Sequence, residues 1–267
     1  MTQKQKPSGQ QTRSDKGKPQ LTPRDRDTMP IVGEQTAYRF DQLQGLLARH
    51  PTTSSADPTF LSETRTMAVI RRWQLLGLAD YRKILNDQVS WIWLTAKGLA
   101  QCHLPFRFHE PDYTSLDHLF WINETRALVE DRFGSLPGFQ WESERRFRTI
   151  QNRWKSQQKK EPELWVPLEY QSSHRPDALF RYRQNQEPDA REVICAVETE
   201  CSQKAYEEWK EIWIELQSHY TLTHYYVHPD IKEPFCKAVD RFTEEEARFN
   251  GQSQRKWLFI HNLEECL

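Results

Sequence analysis

Arg71-Arg72-Trp73-Gln74-Leu75-Leu76-Gly77-Leu78-Ala79-Asp80-Tyr81-Arg82-Lys83 is the stretch on which the fold of the N-terminal third turns. Upstream, Met67, Ile70 and Trp73 recur at helical spacing, which predicts a helix from about Ser62 to Leu76 that Gly77 stops. Downstream, Tyr81 to Leu85, a tip at Asn86-Asp87-Gln88 and the β-branched and aromatic run Val89-Ser90-Trp91-Ile92-Trp93-Leu94 read as a two-stranded wing, closed by a short helix over Thr95 to Ala100. Two further helices precede these elements. In Leu21-Thr22-Pro23-Arg24-Asp25, Thr22 suits an N-cap, Pro23 the first helical position and Asp25 the first turn, while Pro30 and Gly33 shorten or kink the helix begun there. Phe40, Leu43, Leu46 and Leu47 predict the second helix, over Arg39 to Arg49, which His50-Pro51 ends.

Three helices and then a wing is the order of a winged helix-turn-helix, whose third helix enters the major groove of double-stranded DNA. Residues 21–103 are therefore expected to form such a domain. Arg65 and Arg72 lie seven residues apart and should share one face, with Arg71 beside them and Arg82 and Lys83 on the wing. These five are the candidate DNA contacts; the plain alternative is that they merely solvate a small α/β unit.

Charge is consistent with that placement. The 267 residues carry a net charge of −1, but residues 1–106 hold 15 Lys+Arg against 9 Asp+Glu, a net of +6, leaving −7 for the remainder. Residues 1–20 contribute part of the excess and are expected to be a disordered basic tail, because they have almost nothing apolar to bury. No apolar run is long enough to span a membrane and no leader is evident, so a cytoplasmic protein without a membrane partner is expected. Cys102, Cys195, Cys201, Cys236 and Cys266 form no CxxC pair, which points to free thiols.

Residues 104–113 read as a linker and 114–267 as a second domain. Its predicted order is a helix over Leu116 to Phe133, strands over Phe139 to Phe147, Asp177 to Tyr182 and Val193 to Val197, a helix over Tyr206 to Tyr220, a strand Thr223 to Val227, a helix from about Lys232 to Asn250 and a strand Lys256 to Ile260. The basic stretch Arg145-Arg146-Phe147-Arg148, continuing through Arg153, Lys155, Lys159 and Lys160, reads as a solvated loop, with DNA-backbone contact as the second reading. Asp177 opens one strand and Glu198 and Glu200 end the next on one face. If the strands are neighbours the three carboxylates converge, and such a cluster suits Mg²⁺; solvent-facing strand ends are the alternative.

Both halves resemble the replication-relaxation proteins of plasmids and other mobile elements. Leu21-Thr22-Pro23-Arg24-Asp25, Asp41-Gln42-Leu43, Arg71 to Leu78 and Trp93-Leu94-Thr95 before Gly98 are similar to that family's first domain; Leu116-Asp117-His118 with Asn123-Glu124, Arg175-Pro176-Asp177-Ala178 and Val197-Glu198-Thr199-Glu200 are similar to its second. The resemblance implies a PD-(D/E)xK nuclease-like α/β domain with Glu124, Asp177, Glu198 and Glu200 at its site. Glu200 stands where that signature carries Lys, and Lys204 or Lys210 in the following helix is the available substitute. Two functions stay open: a DNA-binding accessory protein for replication, relaxation or mobilisation, partnering a relaxase or replication protein, with a silent nuclease fold; or a Mg²⁺-dependent endonuclease targeted by its winged helix.

Overall fold

The computed structural model describes residues 19–53, 59–84, 89–187, 189–250 and 257–263, with backbone alone at 249 and 250. Most of the expected tail, the wing tip Asn86-Asp87-Gln88, Lys256 of the last expected strand and Cys266 lie outside the described residues.

Helix α1 (Pro23–Glu34) starts as its sequence dictates: the Asp25 N–H donates to Thr22 Oγ1 at 3.2 Å, the Thr22 N–H donates to Asp25 Oδ2 at 2.7 Å, and Pro23 takes the first position. Pro30 sits inside the helix without ending it. After Thr36, held at a φ of 76°, comes a short strand that the sequence did not announce, β1 (Ala37–Arg39), and then α2 (Phe40–Ala48) and α3 (Glu63–Leu75). Gly77, at a φ of 70°, turns the chain into β2 (Ala79–Arg82); β3 (Trp91–Leu94) and α4 (Ala96–Gln101) complete the unit. The sheet order is β1-β3-β2, antiparallel throughout, with Ala37 opposite Trp93 and Tyr81 opposite Ile92. Met29, Val32, Leu43, Leu47, Val69, Ile70, Trp73 and Ile92 fill its core. At Gly98 a Cβ would stand 2.0 Å from the Leu78 carbonyl oxygen, so only glycine lets α4 close against the chain just before β2.

The second unit is a five-stranded mixed sheet between helices. It comprises α5 (Leu116–Phe133), β4 (Gln140–Ser143), α6 (Glu144–Gln158), β5 (Ala178–Arg183), β6 (Glu192–Glu200), α7 (Tyr206–His219), β7 (Leu222–Val227), α8 (Pro229–Asn250) and β8 (Leu258–Asn262). The order β4-β5-β6-β7-β8 is antiparallel as far as β6 and parallel beyond it, where α7 and α8 make the crossovers. One sheet face packs Leu179, Ala196, Tyr225 and Val227 against Phe147, Trp213 and Phe235 of α6, α7 and α8; the other packs Phe180, Cys195, Val197 and Tyr226 against Val129 of α5.

One expectation fails here. The strand read over Phe139 to Phe147 is confined to Gln140–Ser143, and most of the basic stretch after it is not a loop but α6. Ser143 caps the helix by accepting from the Arg146 N–H at 3.2 Å. Phe147, Ile150, Gln151 and Trp154, at i, i+3, i+4 and i+7, turn one side of it inward: Phe147 lies in the core, Ile150 and Trp154 pack against it and Gln151 is buried. The charges are what the other side carries.

Candidate nucleic-acid interface, unit junction and acidic cluster

Of the five basic residues expected to meet DNA, Arg72 is already engaged within the fold. Its Nε and Nη2 donate to the Asp25 carboxylate at 2.8 and 2.7 Å, and the Trp73 indole N–H adds a third bond at 2.9 Å. Asp25 is fully buried. Burial pushes its carboxyl up, but Arg72, the Thr22 N–H and Trp73 together hold it below the usual carboxylate range. The seven-residue spacing does put Arg65 and Arg72 on a common side of α3, and that side borders the start of α1: both lie within electrostatic reach of Arg24, whose pKa is lowered by burial, against the pull of Asp25, and by these two like charges. Arg24 is a member of this group that the sequence did not single out. The outward side of α3 is instead Thr64, Ala68, Arg71 and Leu75, all exposed and spaced i, i+4, i+7 and i+11. Among the described residues Arg71 and Lys83 have no ion-pair partner. Arg82 pairs with Glu110 and lies 5.1 Å from the Trp93 ring centre.

Glu124 belongs to the junction between the units. Gln42 Nε2 donates to Glu124 Oε1 at 2.7 Å and to the Phe120 carbonyl at 2.8 Å, while buried Asn123 donates to the Ala37 carbonyl at 2.9 Å and to Gln42 Oε1 at 3.1 Å. Burial pushes the Glu124 carboxyl up, only partly offset by Gln42. A second cluster fastens the end of α1 to α6: Arg146 forks onto Glu34 at 2.8 and 2.7 Å, Ser143 Oγ donates to Glu34 at 3.1 Å, and Arg145 Nη1 donates to the Gly33 carbonyl at 2.8 Å. Between these contacts lies a cleft of about 310 Å³ whose walls include Phe106, Arg107, Arg145, Arg148 and Asp177.

Asp177 and Glu198 do come side by side, because Ala178 pairs with Val197 and the next step places the two acids opposite one another. Each carboxylate is nevertheless matched to a base of the chain. Asp177 accepts from the Thr199 N–H at 2.8 Å and lies 3.0 Å from His118 Nε2; Glu198 lies 2.8 Å from His174 Nε2; Glu200 pairs with Lys204 and accepts from the Trp209 indole at 3.0 Å. Lys210 turns away to Glu245. Burial lowers the His118 pKa, but the Asp177 charge and hydrogen bond raise it further, to about 11. Burial, with the Asp177 charge, pushes Glu198 up against the pull of His174; burial lowers His174, but the Glu198 hydrogen bond and charge outweigh it and raise the imidazole. Among the described residues no three His, Cys, Asp or Glu side chains are grouped as a metal ion requires. The donor set as it stands does not fit a divalent cation: its negative charge is balanced internally by imidazolium and ammonium groups. His118 stands in the motif stretch Leu116-Asp117-His118, but neither its pairing with Asp177 nor that of His174 with Glu198 is marked by local spacing, since each spans tens of residues.

Compared with known proteins, the chain matches no family model and no curated sequence.

Proposed function

We propose that this protein is a double-stranded DNA-binding accessory protein whose N-terminal unit is a winged helix-turn-helix. The observation that carries the reading is the outward side of α3, where exposed Arg71 stands without a carboxylate partner among the described residues. Its support is the element order α1-β1-α2-α3-β2-β3 with sheet order β1-β3-β2, which suits a fold that aims its third helix at the major groove and its β2–β3 connection, with Lys83, at the flanking phosphates. The second unit is proposed to be a PD-(D/E)xK-like domain, in keeping with its order of a helix, three antiparallel strands (with α6 inserted between the first and second), a crossover helix and a parallel strand. It serves as a docking body rather than a catalyst, since its acids are paired with the chain's own cations. A plasmid or other mobile element as the setting, and a relaxase or replication protein as partner, rest on the motif resemblance and belong to the same proposal.

Duplex binding by the full chain, followed by fluorescence anisotropy across a salt series, tests this. Arg71→Gln with Lys83→Gln should flatten the slope of log affinity against log salt by about 2, near 0.9 for each phosphate no longer neutralised. An unchanged slope removes α3 and the wing as the DNA surface. Metal-dependent nicking of supercoiled DNA that vanishes in both Asp177→Asn and Glu198→Gln would make the protein the endonuclease instead.

A further inference from the structure

We propose that the outward face of α6 is a second duplex-DNA surface, on which Arg148, Arg153, Lys155 and Lys159 hold phosphates flanking the segment read by α3. This rests on the DNA-binding reading and extends it to a helix of the other unit.

The helix and its C-cap region, residues 144–160, contain seven basic residues (Arg145, Arg146, Arg148, Arg153, Lys155, Lys159 and Lys160) and one acid, Glu144. Arg145 and Arg146 are spent on the junction. The others project outward: Arg148, Asn152, Lys155 and Lys159 are exposed at i, i+4, i+7 and i+11, flanked by exposed Arg153 and Lys160. Arg148 pairs with Glu144, but among the described residues Arg153, Lys155, Lys159 and Lys160 have no ion-pair partner. Cations without an internal partner, gathered on one face of a helix, attract a polyanion. The exposed stripe itself, Arg148, Asn152, Lys155 and Lys159, is wholly polar, whereas a membrane-surface helix shares its buried face with apolar side chains, which favours a phosphate backbone over a lipid surface.

Helix α1 reaches α3 at its first turn through Asp25 and reaches α6 at its last through Glu34, so it links the two helices that carry the basic faces. The 12 residues of α1 span about 18 Å and the 15 residues of α6 roughly 22 Å. B-DNA presents a charge about every 1.7 Å along its axis, so a duplex of a few tens of base pairs offers phosphates to both. Beside α6, at the end of α1, the cleft brings Arg107, Arg145 and Arg148 together with Glu34, Glu144 and Asp177. Arg145 donates there to the carbonyl oxygens of Gly33 and Arg107, and burial lowers its pKa to about 10 against the pull of the Glu34 charge.

The experiment uses the full chain and a random-sequence duplex of about 40 base pairs, long enough at roughly 3.4 Å per base pair to cover both faces. The triple variant Arg153→Gln, Lys155→Gln, Lys159→Gln removes no intramolecular partner and should melt within a degree or two of the parent. Its salt slope should be shallower by about 2–3, and its affinity near 0.1 M salt lower by at least about tenfold. A triple variant with the parent's slope and affinity overturns the inference whatever Arg71→Gln with Lys83→Gln does. If the triple variant loses binding while the α3 and wing variant keeps it, the surface on α6 stands and the winged-helix reading falls. Vesicles carrying anionic phospholipid provide the contrast: binding to them that the triple variant loses, with duplex binding intact, assigns the face to a membrane and also overturns the inference.

Discussion

The two ends of α1 hold the same kind of contact in opposite electrostatic settings. At the first turn, Asp25 receives a forked arginine from α3; at the last, Glu34 receives one from α6. An acid at a helix N-terminus is favoured by the helix dipole and satisfies exposed N–H groups, whereas an acid in the last turn opposes the dipole and depends on its partner. Asp25 is accordingly wrapped by Thr22, Arg72 and Trp73 and is wholly buried, while Arg146 remains about 38% exposed over Glu34. The first contact builds the N-terminal unit; the second fastens that unit to its neighbour. Helical spacing is thus no guide by itself to which arginine of α3 faces outward, since the acid each one meets decides.

The largest effect should come from the first contact. Asp25→Ala removes the capping box and strands the Arg72 guanidinium and the Trp73 N–H in a buried site, so a loss of about 3–5 kcal/mol is expected in denaturant unfolding. Glu34→Ala should lose less, about 1–2 kcal/mol, because Arg146 can turn to water and an acid unfavourable to the dipole is gone. Equal losses, or the reverse order, would break the contrast between the two ends. Arg72→Ala belongs with Asp25 in this scheme: it should lower the melting temperature and leave the salt slope for DNA unchanged.

Acid sharpens the same contrast. The Asp25 carboxyl is held below its unfolded value near 3.9, so its contribution is fully present above that pH and is lost as pH falls through the lower, folded value; each unit of depression is worth about 1.4 kcal/mol. Melting curves between roughly pH 5 and pH 2 should therefore fall more steeply for the parent than for Asp25→Asn, which has no proton to take up. Parallel curves would show that Asp25 is not the titrating anchor.

Local chemistry was legible in the sequence and distant chemistry was not. Thr22-Pro23-Arg24-Asp25 states its own capping box, and Gly77 its own turn, because donors and acceptors a few residues apart meet in only a few ways. Asp177 beside Glu198 was likewise readable, from strand ends on neighbouring segments. The three residues of β1 carry too short a pattern to register, and α6 was hidden because a run of charges drew attention from Phe147, Ile150 and Trp154 beneath it. Gln42, Asn123 and Glu124 show why the junction was illegible: their bonds join residues about 80 positions apart, and no periodicity marks polar partners at that range. The pairings of His118 with Asp177 and of His174 with Glu198 are illegible for the same reason.

The smallest expected effect concerns the acidic cluster, where the lack of a shift is informative. A divalent cation that binds only the folded state raises stability by an amount set by its concentration over its dissociation constant, about 1.4 kcal/mol at ten times that constant. Asp177, Glu198 and Glu200 would have to give up His118, His174 and Lys204 to accept one, and displacing a cation already in place offsets what the metal contributes. Mg²⁺ or Mn²⁺ at millimolar concentration should therefore leave the melting temperature of the parent unchanged. His118→Asn combined with His174→Asn removes two of the three internal cations and leaves the carboxylates repelling one another, so this variant should melt lower and regain part of the loss when Mn²⁺ is added. A parent that is itself stabilised by Mn²⁺, with Asp177→Asn abolishing the shift, would mean that the bases swing aside and that the cluster is a cation site after all.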